Sequence, residues 1–403
     1  MVAQYEVKKP LKILFKALLI VAVLFLVFSY FLAIPLGLAL FFFTPLAFDV
    51  SRLYLLKLPI PLLINPDFSI SVTINAGLVF LFLLGVYTLC FWGAWMSRES
   101  LHRVIRRGLS RPFSQLFNNN LFAMPTITSM LFIIFIIIHV FLNVPTGPGP
   151  FEPSEDPLQP FKDFFAVTYS PLFEEIGFRV IPIGIFLIAY LFVVRKERIA
   201  MLSRRGLLKV FFLIPLHPDK AKELLGVRTM REFGIRSISL AEWIVIVFTS
   251  IAFGLVHIGG GWEAGKSISV SIDGLAFGLV YLLYGVQAPI LLHWFSNYYW
   301  SLFFSEDLAL KFYPIVSPIS FLILFVTLIL GVLGLIMFTT LLSVRLQRRR
   351  KKVVTPPPLS PLSPSTPLQS IIRFCRRCGQ MLSEDVKVCP QCGKALEEKK
   401  EKS

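Results

Sequence analysis

The chain has 403 residues, of which 55% are hydrophobic and 16% charged, and its formal net charge is +16. A soluble protein carries about 25% charged residues. Several stretches here reach the roughly 20 apolar residues that cross a bilayer, which excludes an ordinary soluble globule. The surplus of Lys and Arg fits the basic cytoplasmic loops of a membrane protein, so it is not read as a nucleic-acid signal.

In chain order, a basic start (Lys8, Lys9, Lys12, Lys16) precedes an apolar run over residues 13–47. It lacks a small-residue cleavage site after a short core and reads as a retained helix, not a signal peptide. Its length predicts a kink at Pro35 or a second part lying along the interface. Residues 49–75 contain three prolines, Pro59, Pro61 and Pro66, and read as an external loop. A second span is predicted over 76–95, then a basic loop with Arg98, Arg103, Arg106, Arg107 and Arg111, then a third span over 121–144.

An acidic Pro/Gly-rich connector (Glu152, Glu155, Asp156) leads to a fourth span over 161–194, long enough to be tilted or to be two helices meeting near Pro182. Residues 195–239 are basic and read as a cytoplasmic loop with helices on the membrane surface. Spans five to eight follow over 240–258, 268–284, 289–304 and 315–344, the last stopping at a basic cluster up to Lys352. The expected fold is therefore an all-α polytopic membrane protein of about eight transmembrane helices. The positive-inside rule places both termini in the cytoplasm of a multi-pass cell-membrane protein. The domains read as a membrane domain over 1–352 with its motif-bearing core at 161–304, a Pro/Ser-rich linker over 353–371, and a small module with a charged tail over 372–403.

That module carries Cys375-x-x-Cys378-Gly and, ten residues after Gly379 begins, Cys389-x-x-Cys392-Gly. Two such turns point four thiolates at one ion, a closed tetrahedral set that suits structural zinc. Metal binding would supply the folding energy that so small a module lacks. The alternative, two disulfides, is disfavoured in a reducing compartment. The arrangement looks like the zinc ribbons appended to many membrane proteins. Its ligand is not readable from Arg376, Arg377, Lys387 and Lys394, and nucleic acid is not favoured over lipid or protein.

Ionisable groups at membrane depth cost at least about 2.5–3.5 kcal/mol each on insertion scales and by default mark function. Glu174, Glu175 and Arg179 lie in the fourth span, His257 in the fifth, and His293 and Asn297 in the seventh. Residues four apart share a helix face. Glu175 can therefore pair with Arg179, and His293 and Asn297 can project into one cavity. His139 and Asp273 are further candidates without evident partners; His102 and His217 read as surface residues. Two carboxylates, two histidines, an arginine and an amide on three spans are the parts of a hydrolytic site. A carboxylate can deprotonate water; histidine and amide groups can stabilise an oxyanion; His and Glu can instead hold a metal with an open position.

Three motifs, Glu174-Glu175-x-x-x-Arg179, Phe253-x-x-x-His257 and His293-x-x-x-Asn297, resemble in order and spacing those of the CPBP family of intramembrane proteases, which includes the Rce1-type CAAX prenyl endopeptidases. The resemblance implies an endopeptidase acting on a membrane-associated or lipid-modified peptide in the bilayer. It implies Glu174 as the base that activates water, Glu175 and Arg179 as an orienting pair, His257 as a water-positioning group, and His293 and Asn297 as oxyanion donors. A catalytic zinc held by Glu174, His257 and His293 is the alternative within the same family. Outside it, a transporter using the same polar residues or a non-catalytic scaffold with a zinc-ribbon adaptor also fit the composition. His-Glu-x-x-His and Gly-x-Ser-Gly signatures are absent from the sequence. One geometric requirement stands out: His257 falls near one end of its helix and His293 near the opposite end of its own. They meet only if helices are broken or tilted around a wet cavity, which is expected to open to the cytoplasm.

Overall fold

The computed structural model describes residues 2–97, 99–110, 113–141, 143–144, 156–354, 373–374, 381–382 and 386. It divides into two compact units, Met1–Thr340 and Leu341–Ser403. The first unit is a helical bundle. Among the described residues, seven of its helices are long and apolar enough to cross a membrane: Ile13–Phe43, Ala76–Trp95, Asn120–Phe141, Gln159–Val194, Leu240–Gly259, Ala264–Tyr284 and Ser317–Thr340. Their outward faces carry exposed apolar side chains such as Phe28, Leu89, Trp92, Phe248 and Phe321. Such a surface is unfavourable in water and is the normal face toward lipid. The chain is a polytopic, multi-pass membrane protein.

Helix α1 (Val2–Phe43) runs without interruption through Pro35, contrary to the expected kink, and the break falls at Thr44. Thr44 is extended because the ring of the following Pro45 disfavours the helical region for its predecessor, and Pro45 then starts α2 (Pro45–Ser51).

The stretch expected as an external loop is a β-hairpin instead, β1 (Tyr54–Pro59) with antiparallel β2 (Ser69–Asn75). The alternation of Ile70, Val72 and Ile74 with Ser and Thr is the period-two signal of a strand. The hairpin packs on the bundle. Tyr169 donates its hydroxyl to the Pro59 carbonyl at 2.7 Å, and a Cβ on Gly177 would lie 1.8 Å from the Pro61 carbonyl oxygen. Only glycine permits that approach. Gly177→Ala is expected to cost about 1–3 kcal/mol, as overpacking does, and to open residues 60–66 to limited proteolysis. Unchanged stability and cleavage would show that the hairpin contact is incidental.

Helix α3 (Ala76–Trp95) is capped by Asn75, whose side chain accepts the Leu78 amide. Helix α4 (Leu101–Gly108) lies in the basic loop. Helix α5 (Asn120–Ile136) continues into a π-helical turn, Ile137–Phe141. Asp156 precedes α6 (Gln159–Glu175), accepting from the Leu158 amide at 2.9 Å and the Lys162 ammonium at 2.6 Å. Those bonds hold its carboxyl below the usual carboxylate range. Glu152 and Glu155 lie outside the described residues.

The fourth expected span is one helical run in which α6 and α7 (Ile181–Val194) are joined by the π-helical turn Ile176–Val180. The irregularity thus falls between the motif residues. Pro182 sits in the first turn of α7, where a missing amide hydrogen does no harm.

Four short helices fill the basic region, α8 (Lys196–Ala200), α9 (Arg204–Leu216), α10 (Pro218–Leu224) and α11 (Met230–Phe233). They form their own buried network. Asp219 accepts the Met230 amide at 2.6 Å, and Lys222 pairs with Glu242. His217, expected at the surface, is buried. Glu242 also closes a capping box with Ser239 at the start of α12 (Leu240–Gly259), so the loop and the membrane helix are tied at one carboxylate.

Helices α12 and α13 (Ala264–Tyr284) form an antiparallel pair. Helix α14 (Gln287–Trp294), the π-helical turn Phe295–Tyr299 and α15 (Trp300–Phe304) make one continuous run. This is the seventh span expected from the sequence. Its His, Ser, Asn and Tyr content keeps it out of the apolar set above. It occupies the centre of the bundle, with α14 against α3, α5, α6 and α13, and with Trp294, Tyr298 and Tyr299 fully buried. The long α16 (Glu306–Val354) follows.

Of the second unit, two short strands are described, β3 (Arg373–Phe374) and β4 (Met381–Leu382), which pair antiparallel. They flank the first Cys-x-x-Cys in sequence. Cys375, Cys378, Cys389 and Cys392 themselves lie outside the described residues.

Candidate active site

The motif side chains on α6 and α14 form a hydrogen-bonded cluster. Glu175 and Arg179 are both fully buried, and the guanidinium donates to the Glu175 carboxylate at 3.0 Å. The same carboxylate oxygen, Oε1, accepts His293 Nδ1 at 3.0 Å. A carboxylate oxygen accepts, so Nδ1 is the donor in that bond and Nε2 is left for other contacts. Nε2 lies 3.3 Å from Asn297 Nδ2 and 3.8 Å from Glu174 Oε2. Asn297 also donates to Ser170 Oγ at 2.7 Å. Glu174 is thus the carboxylate free of hydrogen bonds to the cluster: its Oε2 is buried without a hydrogen-bond partner.

Arg179 is held from its other faces by aromatic rings. Its guanidinium stands 4.0 Å over the Phe253 ring and 5.4 Å from that of Phe277. Gly274 makes room for it, since a Cβ there would lie 2.9 Å from Arg179 Nη2. Such cation–π contacts suit guanidinium better than ammonium.

The π-helical turns fall at the motifs. One begins immediately after Glu175 and contains Arg179; another contains Asn297. An i→i+5 turn inserts one residue and rotates the side chains that follow. This is how residues on regular apolar helices come to face one point.

His257 enters differently. Its Nδ1 bonds the Phe253 carbonyl at 2.8 Å, and among the described residues no hydrogen bond joins it to another polar side chain. Phe253 separates the two histidines, with ring centroids 5.1 Å from His257 and 5.8 Å from His293. The depth difference expected from the sequence is therefore narrowed, not removed. Broken helices bring His293 and Asn297 to Glu174; His257 looks at them across an aromatic ring.

All four of these groups line one cavity of about 510 Å³. Its walls also carry Ser170, Asp273, Lys266 and Trp262. Along α5, α6, α12 and α13 the lining runs toward the end of the bundle that holds residues 260–263, away from the basic loop at 195–239. A second cavity of about 320 Å³, almost wholly apolar, lies between β1 and α6. Ala166, Ser170 and Glu174 belong to the walls of both.

Ser170 was not singled out in the sequence, although it stands four residues before Glu174 and so shares its helix face. Lys266 was hidden by its place at a helix start. Asp273, which had no partner in the sequence reading, is a cavity residue. His139 is not: it bonds the Val144 carbonyl at 3.1 Å and packs on Phe135 at 4.0 Å.

A catalytic metal would draw on Glu174 and His293 Nε2, with Glu175 orienting the imidazole as carboxylates do behind metal-bound histidines. No third donor stands with them: among the described residues there is no group of three or more His, Cys, Asp or Glu placed to hold an ion.

Residues 160–299 match the sequence profile of the family described as type II CAAX prenyl endopeptidase Rce1-like. Residues 374–396 match that of a zinc-ribbon domain. No curated protein and no solved structure matches the chain. The matched segment holds all three motifs and every residue of the hydrogen-bonded cluster. The chain is thus similar, over residues 160–299, to the Rce1-like CAAX prenyl endopeptidases and, over residues 374–396, to a zinc-ribbon domain.

Proposed function

We propose that the chain hydrolyses a peptide bond of a membrane-associated, lipid-modified substrate at Glu174. The observation that carries this reading is the unpaired Glu174 carboxylate facing His293 Nε2 inside the larger cavity. Glu174 takes a proton from water, and the resulting hydroxide attacks the carbonyl carbon of the scissile bond. The oxyanion accepts hydrogen bonds from Asn297 Nδ2 and from His293 Nε2 when the imidazole is doubly protonated. Glu174 then returns the proton to the leaving amine. Glu175 holds His293 in register and is itself held by Arg179. His257, across Phe253, orients the water from the far wall. The apolar cavity beside β1 suits a hydrocarbon chain or apolar side chains on one side of the scissile bond.

The test is cleavage of an S-prenylated peptide by purified protein in liposomes, followed by mass spectrometry. Substrate trapping with Glu174→Gln in native membranes then identifies the physiological partner. Solute flux without any peptide cleavage would replace this reading with a transporter.

In the tail, Cys375, Cys378, Cys389 and Cys392 bind one structural zinc, and both termini lie in the cytoplasm; the membrane domain spans 1–352, the linker 353–371 and the ribbon with its charged tail 372–403. Near-stoichiometric zinc in the purified protein, lost on replacing Cys378 and Cys389 by Ser, is the expected result. Full zinc retention in that double variant would overturn the assignment.

A further inference from the structure

The hairpin leaves one edge of β1 uncovered. Strand β2 takes one side of β1, and among the described residues no strand takes the other. Lys57 and Pro59 stand opposite Ser71 and Ser69, and the Ile60 amide donates to the Phe68 carbonyl at 2.8 Å. Backbone groups alternate in direction along an antiparallel strand, so those of Lys57 and Pro59 point away from β2. The Pro59 carbonyl bears this out, since it accepts the Tyr169 hydroxyl of α6. Pro59 has no N–H to offer. The Lys57 N–H and C=O are the donor and acceptor left on this edge, and among the described residues no side chain or loop bonds them.

That edge faces the smaller cavity. Leu55, Lys57 and Leu58 line one wall of it, and Phe165, Phe173 and Glu174 of α6 line the other. Strand β1 runs beside α6, with Pro59 held at Tyr169 and the following Pro61 at Gly177. The edge therefore leads from the level of Phe165 toward that of Glu174, and two contacts fix its distance from the helix. This part of α6 belongs to a segment long and apolar enough to cross the bilayer. An open sheet edge is not tolerated against lipid at such depth, but it is where it lines a cavity. A hydrocarbon chain in that cavity would leave both Lys57 groups unpaired, at a desolvation cost. An extended peptide supplies a donor and an acceptor to them and turns alternate side chains toward the apolar wall.

Resting on the protease reading above, we propose that the substrate backbone joins the hairpin as a third strand at Lys57, and that this pairing leads the scissile bond along α6 to Glu174. Strand addition of this kind reads the main chain and leaves side-chain choice to the pockets beside it. Lys57 is then a positioning residue that acts through its peptide groups, and the substrate it favours is one that is extended next to the cleaved bond.

The test uses a set of S-prenylated peptides in which one backbone amide at a time, other than the scissile one, is replaced by an ester and so loses its N–H. The wild-type protein in liposomes is expected to lose about 3- to 10-fold in kcat/KM at one position of the set, through KM more than kcat, as the loss of one backbone hydrogen bond would give. Lys57→Pro removes the outward N–H and puts a ring where the added strand would lie, a change that a free strand edge tolerates. It should lower kcat/KM on the parent peptide by about tenfold and abolish the ester penalty, whereas Lys57→Ala keeps the N–H and should keep the penalty. If Lys57→Pro fails to fold, Lys57→Cys under a mild oxidant should form a disulfide with a peptide carrying cysteine at or beside the ester-sensitive position, and no cross-link there would overturn the assignment. A peptide set with no ester-sensitive position would overturn it too, as would a penalty that survives in full in Lys57→Pro. Equal kcat/KM for wild type and Lys57→Pro would do the same, and is the result if lipid or a second copy of the chain covers the edge. Cleavage of no peptide, the all-amide parent included, would overturn the protease reading and this one with it.

Discussion

Glu174→Gln is expected to lower kcat/KM on a prenylated peptide by about 10³-fold or more, within the range that a positioned acid–base group contributes. The substitution keeps the shape of the side chain and removes only its basicity. Glu174 Oε2 has no hydrogen bond to lose, and the Glu175–Arg179–His293 network is left intact. Thermal unfolding in detergent should therefore be nearly unchanged. His293→Ala should cause a loss of similar order, and the double variant should be little worse than either, because groups acting on one transition state are not additive. Activity of Glu174→Gln within about tenfold of wild type would remove Glu174 as the base.

The second large effect concerns Glu175 and Arg179. Both side chains are fully buried, so breaking the pair from one side strands a charge in low dielectric. Glu175→Leu is expected to destabilise the protein by about 3–5 kcal/mol, since Arg179 keeps only aromatic faces around it. Replacing both by Leu should recover much of that stability, because an apolar pair of similar size is often no worse than a buried ion pair. Activity should not recover with it. Glu175 Oε1 is also the acceptor that sets the tautomer and orientation of His293, and a misplaced catalytic group costs about 10²-fold even when the fold holds. Unfolding measurements and cleavage rates on the single and double variants separate the two roles. A double variant with wild-type kcat would reduce Glu175 to a structural ion-pair partner.

Several elements were legible in the residues. Spans 76–95 and 240–258 show as unbroken apolar runs of bilayer length, and the helices observed there are Ala76–Trp95 and Leu240–Gly259. The Glu175–Arg179 pair follows from four-residue spacing alone. The hairpin over residues 54–75 was obscured because prolines and polar residues read as a solvated loop. Its strands are held by cross-strand pairing and by Gly177 and Tyr169 on a distant helix, contacts that no local pattern carries. The run 287–304 shows the same limit from the other side. It is too polar to pass as a lipid-facing helix, and it is central because other helices shield it.

The sequence by itself determined the solvent of each helix, the order of the three motifs and which polar residues lie at membrane depth, because bilayer length, charge cost and helical spacing are local quantities. Only the tertiary structure decided how those residues meet. The packing of α6 against α14 and the turn at 295–299 bring Glu174, His293 and Asn297 together, while Phe253 keeps His257 one ring away. It also decided that Glu174 Oε2 is left without a hydrogen bond, and that Lys266 and Ser170 stand on the wall of its cavity. The reason is that convergence depends on packing between distant helices. In the Arg179 contacts it turns on space left at Gly274 and on the rings of Phe253 and Phe277, which spacing within one helix cannot encode.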